Sequence, residues 1–165
     1  MDNLEKVIHY LEKENDIYER LLSISRQKKD VIIDGKINEL DSIIKMEGNL
    51  IMEVSKLEDE REKAVDDLAK ELGCKREELS ISYLCSKVVD ERTAHLKKIA
   101  DTIGDTLKEL KEINDLNGKL IEQSLEFINF SINLVADAME GQKVVYDGKK
   151  EANGENNVRL FDAKV

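Results

Sequence analysis

Proline is absent from all 165 residues, tryptophan is absent too, and aromatic residues make up only 4% of the chain. Proline is a common turn former and a breaker of helix interiors. Its absence argues against a turn-rich β or α/β protein and suits a chain built from a few long helices. The two cysteines, Cys74 and Cys85, form no CxxC and have no histidine beside them; they read as reduced thiols of a cytosolic protein. The glycines are scattered and build no phosphate-cradling loop. His9 and His95 lack HxxxH or HExxH spacing, and the acidic clusters have neither EF-hand spacing nor the histidines of a di-iron site. No catalytic, cofactor-binding or metal-ligating residue is therefore expected, and the chain does not read as an enzyme. No run of eighteen apolar residues predicts a membrane span, and MDNLEKVIHY lacks the basic start and apolar core of a secretory signal.

Charge is what the chain has in abundance. Charged residues make up 38% of it and the net charge is −10, which disfavours a nucleic-acid partner or an anionic membrane surface. The surplus of Ala, Leu, Ile, Glu and Lys with helical periodicity points to a coiled coil or bundle.

The periodicity predicts three long helices. The first runs from about Asn3 to Ile33, with Leu4, Ile8, Leu11, Tyr18, Leu22 and Ile32 on its buried seam. Asn15 and Ser25 interrupt that seam, as polar residues that set register do. Asp34-Gly35-Lys36 reads as a tight turn, making the next helix an antiparallel neighbour. The second helix, about Ile37 to Leu72, has Leu40, Ile44, Ile51, Val54, Val65, Leu68 and Leu72 as its seam and stops at Gly73. A polar connector, residues 73–79, leads to a short turn capped by Ser80. The third helix is expected from about Ser86 to about Glu140, with Leu96, Ile99, Ile103, Leu107, Leu110 and Ile113 facing inward in its first half. The expectation is thus an all-α protein: three long helices in an antiparallel coiled-coil or bundle arrangement, with a short connecting helix. A helical domain at 1–140 precedes a disordered tail at 141–165.

One stretch exceeds what a bundle needs. Residues 116–135, LNGKLIEQSLEFINFSINLV, carry two apolar faces. Ile121, Leu125, Ile128, Ile132 and Val135 form one; Leu116, Leu120, Phe127, Phe130 and Leu134 form the other. The apolar arc spans roughly 220°, against about 100° for a helix packed on one neighbour. At about 1.5–3 kcal/mol per buried side chain, one seam cannot use them all, and a large exposed apolar patch marks a binding surface. The second partner is either another copy of the chain or a different protein offering an amphipathic helix.

Two segments resemble the FlgN-like flagellar export chaperones. In LEDEREKAVDDLAKELGCKREELSISYL, Leu57, Glu58, Arg61, Leu68, Ala69, Leu72, Gly73, Ser80 and Leu84 follow the family's progression of Leu-Glu then Arg, an apolar run closing on Leu-Gly, and a Ser/Thr-capped turn. The stretch 116–135 is similar to the family's C-terminal helix, with its Asn-rich start and mixed apolar faces. The resemblance implies a cytoplasmic chaperone that binds the C-terminal helical segments of the hook–filament junction proteins FlgK and FlgL, prevents their premature self-association, and delivers them to the export-gate component FlhA. It implies a cargo groove along Leu120, Ile121, Leu125, Phe127, Ile128, Phe130, Ile132 and Val135, and it makes Tyr146 the aromatic residue that docks on the gate. Which apolar face meets the cargo stays open. The alternative reading is a homodimeric coiled-coil scaffold or spacer with no client, its second face covered by self-association.

Overall fold

The computed structural model describes residues 2–88 and 90–146, with side chains given through residue 141. The chain divides into two units, Met1–Gln123 and Ser124–Val165. Among the described residues there is no strand. The elements are α1 (Asn3–Ile33), α2 (Ile37–Leu72), a 3-10 turn (Arg76–Glu78), α3 (Ile81–Lys87) and α4 (Glu91–Tyr146).

Local signals set the boundaries. The Asp2 side chain accepts from the Glu5 backbone N–H at 2.8 Å and caps α1. Gly35 takes φ +67°, and the N–H groups of Gly35 and Lys36 turn back to the carbonyls of Ile32 and Val31. That closes the helix in a left-handed stop that a Cβ would disfavour. Gly73, at φ +65°, repeats the device, with Cys74 N–H bonding Ala69 O. Ser80 Oγ accepts from Tyr83 N–H at 3.1 Å and starts α3, which is longer than the single turn expected. At the head of α4, Asp90 accepts from the Arg92 backbone N–H at 2.9 Å.

Within the first unit the long helices run up, down and up. Asn3 bonds Glu71, Tyr18 bonds Glu58, and Lys28 bonds Glu47, so α1 and α2 are antiparallel. Arg92 reaches Asp2 and Asn117 reaches Ser25, so α4 runs parallel to α1. The all-antiparallel arrangement expected from sequence holds for α1 with α2, while the return through α3 brings α4 back in the direction of α1. One core joins Leu4, Val7 and Ile8 of α1, Ala64 and Leu68 of α2, Leu84 of α3, and Leu96, Ile99 and Ile103 of α4. A second joins Ile17 and Leu21 to Leu50 and Val54, with Leu110 packed against it.

Three sequence expectations change. On the first half of α2 Ile43 and Leu50 are buried in place of their neighbours Ile44 and Ile51, which are 52% and 56% exposed. On α4 the fully buried positions after Ile103 are Thr106 and Asn117, Leu110 and Ile113 are half-buried as expected, and Leu107 is exposed. The third long helix starts at Glu91 rather than near Ser86 and continues through residue 140 to Tyr146. Residues 147–165, the rest of the expected tail, lie outside the described residues.

Two buried or half-buried ionisable groups of the first unit, Glu14 and Tyr18, have partners. Glu14 is 3% exposed and both its oxygens accept from Arg61 Nε, at 2.9 and 3.1 Å. Burial raises its pKa above the ordinary carboxylate value, and the Arg61 guanidinium only partly opposes that shift. Tyr18 Oη donates to Glu58 at 3.2 Å. Burial first, then the Glu58 charge, pushes the phenol up to about 12.

Candidate functional site: the apolar surface of α4

No proline interrupts α4. Ile121, Leu125, Phe127, Ile128, Phe130, Ile132, Leu134, Val135 and Met139 are all between 37% and 70% exposed. Leu120 is half-buried in the first unit, and Leu116 is exposed. Within the second unit, residues of both apolar faces read from the sequence are exposed: Leu125, Ile128, Ile132 and Val135 of one, and Phe127, Phe130 and Leu134 of the other. In the second unit, Phe127, Ile128, Ser131, Ile132 and Val135 line a shallow apolar hollow. Ser131 does not interrupt it as a free hydroxyl, because its Oγ donates back to the Phe127 carbonyl at 2.9 Å.

Beyond Lys119 the charge along this surface has one sign. From residue 120 to residue 141 the charged residues are Glu122, Glu126, Asp137 and Glu140, and all four are exposed. A cationic partner is favoured by that fringe. Tyr146 closes α4, but its side chain lies outside the described residues, so the expected docking aromatic gains no geometry here. Among the described residues no cluster of three or more His, Cys, Asp or Glu is placed to hold a metal ion, and no helix is long and apolar enough to cross a membrane.

A further feature was missed by periodicity. Where α1, α2 and α4 meet in the first unit, a cleft of about 390 Å³ is lined by residues including Leu21, Ser25, Glu47, Ile51, Asn117 and Ile121. Its polar parts are tied together. Lys28 Nζ donates to Glu47 at 2.7 Å, Ser25 Oγ donates to Glu47 at 3.1 Å, and Asn117 Nδ2 donates to the Ser25 carbonyl at 2.8 Å. Asn117 is 1% exposed, and its Oδ1 has no hydrogen-bond partner. An orphaned buried acceptor of this kind costs about 1–3 kcal/mol. The sequence clue was Ser25, whose break in the α1 seam was read as a register device without a partner to match.

The FlgN protein family matches residues 1–154. The chain belongs to the FlgN family. That match takes in every described element, α1 to α4, and FlgN membership points to a flagellar export chaperone. A relative, the "Uncharacterized protein YvyG" of Bacillus subtilis (strain 168), is 26% identical over 159 residues, covering 96% of this chain and 97% of YvyG. No solved structure matches this FlgN-family chain.

Proposed function

We propose that this FlgN-family protein is a cytoplasmic, non-catalytic export chaperone that holds the C-terminal helical segments of the hook–filament junction proteins FlgK and FlgL on the apolar surface of α4, and presents them to the export-gate component FlhA through Tyr146. The observation that carries this reading is the exposure of large apolar residues around α4 from Ile121 to Met139. Exposed apolar area on this scale is a feature of binding surfaces, and a helix laid in an apolar groove through residues spaced three and four apart is an established recognition mode. A client helix gains by covering side chains worth about 1.5–3 kcal/mol each when fully buried. It also shields its own apolar face while bound.

The test is a pull-down of FlgK and FlgL with Leu125→Asp plus Ile128→Asp. Both residues are exposed, so the helical fold should survive, and client capture should fall at least tenfold. Undiminished capture by a folded double variant would reject the surface. Tyr146→Ala should retain the client and weaken FlhA capture; equal loss of both would reject the division of roles. If light scattering shows a dimer that added client leaves unchanged, the scaffold reading replaces this one.

A further inference from the structure

We propose that residues 106–122 of α4, all in the first unit, are an arm that opens from the α1–α2 hairpin while the preceding turns stay packed, with the Asn117–Ser25 contact as its latch. The two parts of the helix are held differently. Leu96, Ile99 and Ile103 are buried in the core that also takes in α1, α2 and α3. Steps of seven from Leu96 lead to Ile103, Leu110 and Asn117, so an asparagine stands where the seam calls for an aliphatic residue. A polar residue at such a position fixes register at a cost in stability. Thr106 is also polar and buried, and Leu110 and Ile113 are only half-buried. Arg26 of α1 pairs with Glu109 of the arm, but their side chains are 60% and 55% exposed, and surface pairs of that kind contribute little.

The latch itself is incomplete. Asn117 is 1% exposed. Its Nδ2 donates to the Ser25 carbonyl at 2.8 Å, while its Oδ1 is buried with no donor among the described residues. Most buried acceptors are paired, and one left alone regains a hydrogen bond when water reaches it. Opening therefore relieves a penalty that closing imposes. Packing beside the latch leaves space: the cleft of about 390 Å³ is lined by residues including Leu21, Ser25, Leu110, Asn117 and Gly118, and Gly118 is a poor helix former. Segments with few buried apolar contacts open at a lower free energy than the whole fold. Opening lifts Leu110 off the second core of Ile17, Leu21, Leu50 and Val54 and leaves the first core intact.

Hydrogen exchange of the full chain, read by mass spectrometry on peptides of α4, tests the latch. Amides of residues 107–122 should exchange about tenfold faster than those of 94–105 or more. Fraying does not account for such a difference, because α4 runs on to Tyr146. Asn117→Leu removes the orphaned acceptor and restores the apolar seam. It should slow exchange in 107–122 about tenfold and leave 94–105 unchanged. Asn117→Asp puts a charge at the same buried position and should speed exchange in 107–122 about tenfold with 94–105 still protected. Equal protection of the two segments in the parent chain would overturn the proposal whatever the variants do. So would a folded Asn117→Leu chain that exchanges 107–122 no more slowly. An Asn117→Asp chain that loses protection in both segments together would overturn it as well, since the helix would then open as one.

Discussion

Arg61→Met should be among the most damaging single changes away from the hydrophobic cores, because of what it leaves behind. Glu14 is 3% exposed, and among the described residues Arg61 Nε supplies its hydrogen bonds, at 2.9 and 3.1 Å. Removing one partner of a buried ion pair costs about 3–5 kcal/mol, since the remaining charge stays buried without compensation. Arg61 is itself 26% exposed, so water partly screens the pair and the lower end, about 3 kcal/mol, applies. For a chain of this size each kcal/mol moves the melting midpoint by roughly 2–4 °C, giving a fall of roughly 6–12 °C by circular dichroism. The sign of the pH dependence is fixed by the direction of the Glu14 shift. A carboxyl whose pKa is raised on folding stabilises the protonated native state, so its contribution is lost as pH rises from 4.5 through the raised folded value. Without Arg61 that value rises further, so the deficit of Arg61→Met should shrink on acidification toward the ordinary carboxylate range. Glu14→Leu plus Arg61→Met should recover most of the loss, because apolar replacement of a whole buried pair is often neutral or better. A drop under about 2 °C, or a double variant no better than the single, would refute the account.

Gly73→Ala forces a Cβ into a left-handed residue at φ +65°, at roughly 1–2 kcal/mol; Gly104→Ala, in a helix interior with nothing within 4 Å of the added methyl, should stabilise by up to about 1 kcal/mol. Parallel urea titrations check the pair, and shifts of the same sign would contradict the assignment. Tyr18 ionises less readily in the folded chain than in the unfolded one, so stability should fade as pH climbs from 10.0 toward about 12. Tyr18→Phe should lose less stability over that range in alkaline unfolding followed by far-ultraviolet circular dichroism, and an identical alkaline profile would rule this out.

The boundaries of α1 and α2 were legible because single residues dictate them. Gly35 and Gly73 stop helices through a conformation other residues resist, and Ser80 announces α3 by a bond its own hydroxyl makes. The inward face of α2 was less legible for a physical reason. Ile43 and Ile44 are neighbours, as are Leu50 and Ile51, and each pair offers two apolar directions about 100° apart at 3.6 residues per turn. The neighbouring helices decide which direction is covered, Leu50 by Ile17 and Leu21 of α1 with Leu110 of α4 beside them, and a pattern on one helix carries no record of it. Asn117 was hidden for the converse reason: a polar residue is read as solvent-facing until a distant carbonyl, here that of Ser25, is placed beside it. On α4 the excess of apolar residues was plain, yet the pattern could not reveal that Phe127 and Ile132 are both open.

The turn at Gly35 has a consequence for biosynthesis. It lets the first two helices zip together within residues 3–72, through contacts nearby in sequence that form fast. Ribosomes add about 5–20 residues per second, so this hairpin waits roughly 2–6 s before Ile103 is even made. The inward residues of α4, Leu96, Ile99 and Ile103, are thus made only after the hairpin they pack on. A circular permutant that starts at Glu91 would reverse that order and should yield more inclusion bodies at equal expression.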